Sequence, residues 1–154
     1  MESMYRLFTR FIVPTLWAAT GLAGCASPPI KESVNTNDAP AAIGPYSQGI
    51  KSANFLFLSG QISIDPKTNQ MGSGSIEEQT RQVLENLSGV LKSAGLSMDN
   101  VVNTTVYLKD VNDFGKMNAV YATYFKDKPP ARATVQAARL PRDALVEISA
   151  IASK

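Results

Sequence analysis

The stretch from Ser75 to Gly95 leaves the chain little choice of local structure. Ser75-Ile76-Glu77-Glu78 is a capping box: the Ser75 side chain accepts from first-turn amides while Glu78 reaches back to the cap amide. A cap of this kind contributes about 1 kcal/mol. Behind it Ile76, Val83, Leu84, Leu87, Val90, Leu91 and Ala94 recur at helical spacing. Gly95 stands where helices commonly turn left-handed and stop. An amphipathic helix cannot bury its stripe alone, and the flanking sequence supplies sheet on both sides of it.

Before the helix, Phe55-Leu56-Phe57-Leu58-Ser59-Gly60-Gln61-Ile62-Ser63-Ile64 reads as a strand buried on both faces, followed by a turn at Asp65–Asn69. After it, Val101 to Leu108 is a second strand rich in β-branched residues. A second helix is expected from about Asn112, with Phe114, Met117, Tyr121, Tyr124 and Phe125 as its stripe and Pro129-Pro130 as its stop. Two further strands, Arg132 to Leu140 and Leu145 to Ala152, are expected to pair as a hairpin through Pro141-Arg142-Asp143. The order β-α-β-α-β-β predicts an α+β single domain, a mixed sheet with two helices on one face. Nothing in the chain is left to cover the other face, and another subunit is the simplest cover.

The length of 154 residues suits one domain. Residues 1–24 read as a secretory signal: Arg6 and Arg10 supply positive charge ahead of an apolar run from Phe11 to Leu22. That run falls short of the roughly 20 apolar residues of a membrane span. It ends in Leu22-Ala23-Gly24-Cys25, which resembles a bacterial lipobox, so Cys25 is the expected lipidation site. Residues 25–38, polar and Pro-containing, read as a flexible tether, and 39–154 as the domain. The expected location is the bacterial cell envelope, lipid-anchored and facing the periplasm, with Ala26 after the Cys pointing to the outer membrane.

Several chemistries are excluded. The chain has no His, which removes His-based triads and most catalytic zinc sites. A single Cys allows no internal disulfide and no Cys cluster for a metal. Lys+Arg 15 against Asp+Glu 13, with no basic stripe, argues against a nucleic-acid partner.

Three stretches carry the chemistry. The first is Ala39-Pro40-Ala41-Ala42-Ile43-Gly44-Pro45-Tyr46-Ser47-Gln48 and the second Leu58-Ser59-Gly60-Gln61. The third is Pro130-Ala131-Arg132-Ala133-Thr134, continuing through Ala138-Arg139-Leu140-Pro141-Arg142-Asp143 to Val146-Glu147-Ile148. In order and spacing they resemble the RidA (YjgF) family of imine deaminases, from about Asn37 to Ala152. The resemblance implies a chorismate-mutase-like α+β fold and a homotrimer with sites in the clefts between subunits. It implies hydrolysis of reactive 2-imino acids, such as 2-iminopropanoate, to 2-oxo acids and ammonia, without a cofactor.

The residues fit that chemistry. Arg132, at a strand start after Pro129-Pro130, can grip a substrate carboxylate through two parallel hydrogen bonds. Glu147 interrupts an apolar strand and by alternation shares a face with Leu145 and Ser149; it can orient water or relay a proton. Tyr46, stiffened by Gly44-Pro45, offers a hydroxyl to substrate or water. Ser59-Gly60 marks either the close approach of a ligand or a bulge. Asn118, in the stripe of the second helix, either lines the site or makes a structural hydrogen bond. Thr134 and Ser149 replace the Cys and the acidic residue common in the family. The resemblance gives position 134 a substrate-binding role chiefly through its main-chain carbonyl. Two other readings are a non-catalytic trimer binding small carboxylates or misfolded proteins at the envelope, and a ribonuclease, which the lack of His and of a basic groove disfavours.

Overall fold

The sheet explains where everything else must go. The computed structural model describes residues 30–154, and the expected signal segment and Cys25 lie outside them. Six strands, β1 (Glu32–Val34), β2 (Gly49–Ser52), β3 (Phe55–Gln61), β4 (Val101–Leu108), β5 (Ala131–Gln136) and β6 (Val146–Ser153), form one mixed sheet in the order β1-β2-β3-β6-β4-β5. Helices α1 (Ile76–Ser93) and α2 (Phe114–Tyr124) pack on it.

Helix α1 has both halves of the expected capping box: Ser75 Oγ accepts from Glu78 N at 3.3 Å, and Glu78 Oε2 accepts from Ser75 N at 2.7 Å. Gly95 follows the cap at φ +77°, the left-handed conformation that glycine adopts freely. Val83, Leu84, Val90 and Leu91 are completely buried against the sheet. Helix α2 starts later than expected, because a 3₁₀ turn at Val111–Asp113 precedes it. Its stripe is narrower than the sequence suggests: Met117 and Tyr121 are buried, while Phe114 stays 40% exposed. Tyr124 ties α2 to α1 by donating to Glu85 Oε1 at 2.6 Å. Burial and the Glu85 carboxylate push its pKa up to about 12, so the phenol remains a donor.

Three expectations change. The hairpin between the last two strands does not form. Strand β5 runs parallel to β4, and β6 inserts between β3 and β4, antiparallel to both. The reason is apolar content: Val146, Ile148, Ala150 and Ala152 make β6 the strand best suited to the centre, whereas Arg132 and Gln136 suit an edge. Strand β5 ends at Gln136, and the chain turns at Pro141–Asp143, where Arg142 and Asp143 take positive φ. Second, β3 is not buried on both faces. Leu56 and Leu58 point to the helices, while Phe55 and Phe57 are 45% and 46% exposed on the opposite face. Third, the segment expected to be a tether contributes an edge strand, with Glu32, Ser33 and Val34 paired to Lys51, Ile50 and Gly49.

Candidate active site

The N-terminal loop is shaped by one amide. Gln48 is buried; its Oε1 accepts from Thr36 N at 2.7 Å, and its Nε2 donates to the carbonyls of Thr36, Ala39 and Pro40 at 3.0, 3.1 and 2.8 Å. The loop can lie this close to α1 because Gly89 has no side chain; a Cβ there would sit 2.5 Å from Asp38 O. The loop becomes one wall of a cavity of about 350 Å³, lined also by Ile43, Tyr46, Ser59, Gly60 and Glu147.

Ser59-Gly60 is a bulge as well as a close approach. Between Leu58 and Gln61, β3 advances three residues while β6 advances only from Ala150 to Ile148. Ser59 is held by this geometry: its Oγ donates to Ser47 O at 2.6 Å and its N to Gln48 O at 3.0 Å. Its hydroxyl proton is therefore committed to the scaffold. At Gly60 the approaching group is Glu147: a Cβ would overlap Glu147 Oε1 and lie 2.9 Å from Cδ. Burial raises the Glu147 pKa above the ordinary carboxylate value. Tyr46 stays 49% exposed at the mouth, its Oη accepting from Ile43 N at 3.3 Å.

Two more buried amides tie α1 to the loops around it, and the first holds the far-wall residues Ile62 and Ile64. Asn86 Nδ2 donates to Ile62 O at 3.1 Å and Ile64 O at 2.9 Å. Gln79 Nε2 donates to Gly72 O at 3.2 Å and Gly74 O at 3.4 Å, while its Oε1 accepts from Leu145 N at 3.0 Å. Sequence reasoning missed these positions and the role of Gln48. The signal for Asn86 was present: it lies three residues after Val83 and four before Val90, so periodicity points an amide into the core.

Arg132 is elsewhere. It lines a second cavity of about 490 Å³ with Asn118, Tyr121, Pro129 and Pro130. Its Cζ lies 4.6 Å from the Tyr121 ring centroid and 5.5 Å from that of Phe114. Register settles the relation of the two regions. Arg132 pairs with Thr104 of β4 and shares its helix-covered face, whereas Glu147 pairs with Tyr107 and faces the other way. Three residues along β4 and two strand spacings separate their backbones by about 14 Å, at 3.3 Å per residue and 4.8 Å per strand. The chain therefore brings Tyr46, Ser59, Gly60 and Glu147 together, and Arg132 with Asn118, but not the two sets. Thr134 shares Arg132's face by alternation, and its buried Oγ1 has no hydrogen-bond partner among the described residues. Ser149 shares the face of Glu147, as expected, but Leu145 precedes β6 and packs with the main core.

An α+β domain with a half-buried carboxylate on one sheet face and an arginine over an aromatic ring on the other defines a narrow class. The family model described as Endoribonuclease L-PSP matches residues 36–154. A RutC family protein of Pyrococcus horikoshii is 58% identical over 125 residues, covering 81% of this chain and 99% of that one. The mouse 2-iminobutanoate/2-iminopropanoate deaminase is 49% identical, covering 80% of this chain and 91% of the relative. The chloroplastic Reactive Intermediate Deaminase A of Arabidopsis thaliana is 48% identical, covering 86% and 71%. The crystal structure of the YjgF gene product of E. coli superposes with a TM-score of 0.77 at 43% identity, covering 80% of this chain and 98% of that one. The chain belongs to this family, the RidA (YjgF) proteins, and has its fold.

The same relatives correct the expected address. They come from an archaeon, a mammal and a plant chloroplast, and give no sign of an envelope lipoprotein. The apolar run and Cys25 are ambiguous as sequence, because a short hydrophobic segment before a lone Cys does not by itself specify lipidation.

Proposed function

We propose that this protein is a deaminase that hydrolyses reactive 2-imino acids, such as 2-iminopropanoate, to 2-oxo acids and ammonia. It works as a homotrimer whose sites lie between subunits. The observation that carries the reading is the division of the chemistry: Glu147 and Tyr46 line one cavity and Arg132 another, about 14 Å apart by strand spacing. One chain cannot place both on one substrate, and a second copy can. The exposed Phe55, Phe57 and Val135 make the uncovered sheet face a fitting contact for that copy. The name of the mouse relative supports the reaction class.

The roles follow from the reaction. Water adds to the imine carbon of R–C(=NH)–COO⁻, its proton passes to nitrogen, and the carbinolamine expels ammonia to leave R–C(=O)–COO⁻. Arg132 grips the carboxylate in the guanidinium plane. Glu147 of the neighbouring copy takes the proton of the attacking water and returns it to the departing nitrogen. Tyr46 orients the water, Gly60 admits the Glu147 carboxylate, and Asn118 and Thr134 line the Arg132 side. The overall change is a hydrolysis and needs no electron acceptor. RNA cleavage, which the family description names, fits less well in a chain whose sequence has no His and no basic stripe.

The test generates 2-iminopropanoate in situ with an amino-acid oxidase and traps what remains with semicarbazide. Faster imine loss with the wild-type chain, abolished by Arg132→Ala in a folded protein, is the expected result. Binding of a 2-oxo acid without turnover would replace the enzyme with a carboxylate-binding protein. An Arg132→Ala protein as fast as wild type would refute the assignment.

A further inference from the structure

A guanidinium that must capture a small carboxylate needs a fixed plane and free edges. Carboxylate neighbours would fix it but occupy the same edges. Arg132 has no ion pair among the described residues, and its Cζ lies over the Tyr121 ring instead, 4.6 Å from the centroid. Tyr121 is 5% exposed, and its ring is itself wedged against Phe125, centroids 4.5 Å apart. Its hydroxyl is locked to Thr104 Oγ1 at 2.7 Å. Thr104 is fully buried, and it is the β4 residue paired with Arg132 itself.

We propose that Tyr121, anchored by Thr104, is a positioning residue that holds the Arg132 guanidinium by its face and leaves its in-plane N–H groups for the substrate carboxylate. The inference rests on the deaminase reading for its substrate, though the stacking is a property of the chain itself. The backbone of Arg132 and the hydroxyl of Tyr121 are thereby fixed by one β4 residue, so side chain and shelf share a single rigid reference. Burial keeps the phenol above its ordinary pKa, against the lowering influence of Thr104 and Arg132, so no phenolate competes for the guanidinium edges. Phe114, 5.5 Å from Arg132 Cζ and more exposed, is the weaker second wall.

The test uses the full chain and two independent readouts. The first is the Arg132 Nε–H proton resonance, assigned by its loss in Arg132→Lys. Ring currents should shift it upfield in wild type, in Tyr121→Phe and in the double variant Thr104→Val with Tyr121→Phe, and it should relax downfield in Tyr121→Leu. The second is binding of 2-oxobutanoate by calorimetry, together with KM for the imino acid. Tyr121→Leu should raise both constants about tenfold, with kcat changed far less, and Phe114→Ala about threefold. Tyr121→Phe, which keeps the ring but loses its Thr104 anchor, should bind between wild type and Tyr121→Leu, and in an Arg132→Ala background Tyr121→Leu should add nothing. Phe114→Ala, at a half-exposed site, keeps the test informative if Tyr121→Leu does not fold. An unshifted Arg132 resonance in wild type overturns the proposal whatever the activity. So does unaltered 2-oxobutanoate affinity in Tyr121→Leu and Phe114→Ala, or a wild type that does not bind 2-oxobutanoate. A wild type that binds 2-oxobutanoate through a shifted Arg132 but turns over no imine refutes the deaminase reading alone.

Discussion

Replacing Gly60 by Ala tests how the scaffold places Glu147. The added Cβ would overlap Glu147 Oε1, with Cδ at 2.9 Å and Cγ at 3.1 Å. Restoring ordinary contact requires the carboxylate oxygen to retreat by more than ~1 Å, and an error of even about 1 Å in a reacting group costs about 100-fold in rate. Stability should change much less. The atoms that must move are the far end of a flexible side chain, and an off-rotamer adjustment costs about 1 kcal/mol. Gly60→Ala should therefore lose about 100-fold in kcat/KM for imine hydrolysis while its urea midpoint falls modestly. Because the effect passes through Glu147, adding Gly60→Ala to Glu147→Ala should cost nothing further. Activity within threefold of wild type, or an equal loss on top of Glu147→Ala, would refute the reasoning.

Burial raises the Glu147 pKa, so a proton-accepting Glu147 loses activity as pH falls through a value above that of an ordinary glutamate; the acid limb of kcat/KM should report it and should vanish in Glu147→Gln. The same shift has a sign for stability: the native protonated carboxyl favours folding below the unfolded pKa, and that contribution is lost as pH rises through the folded pKa. Glu147→Gln should accordingly gain stability relative to wild type at neutral pH, read by thermal unfolding across pH. Asn86→Ala leaves the buried carbonyls of Ile62 and Ile64 without their donor and should cost about 2–4 kcal/mol in urea unfolding; a loss under 1 kcal/mol would mean that water replaces the amide. Gln48→Ala frees the loop carbonyls of Thr36, Ala39 and Pro40 and should raise KM as the cavity wall loosens, with turnover of imine at several concentrations as the assay.

Much of this was legible in the residues. The capping box and the stripe from Ile76 to Ala94 fix α1 because they are local, and β4 stands out because Val, Thr and Tyr favour a pleated surface. Strand order was not legible. The hairpin expected for the last two strands is the default for neighbours in sequence, and only competition for the sheet centre places β6 between β3 and β4. β1 and β2 were missed because Glu32–Val34 and Gly49–Ser52 are too short to show a period. Within the candidate site, Gly60 was flagged as a close approach, but the partner, Glu147, lies 87 residues away by number and no spacing reveals it. Tyr121 was visible only as part of a stripe. Its place beneath Arg132 depends on the parallel pairing of β4 with β5 and on α2 packing across it.

The central claim is that Arg132 and Glu147 act on one substrate from different copies of the chain. Arg132→Ala and Glu147→Ala proteins should each keep only a small residual activity alone, well under a tenth of wild type. Denatured together and refolded as an equal mixture, they should regain about a quarter of wild-type imine hydrolysis, because one cleft in four joins an intact Arg132 to an intact Glu147 across a subunit boundary. Mixed trimers that form, as seen by native mass spectrometry, yet stay at that residual level would contradict the account and place both residues' work within a single chain.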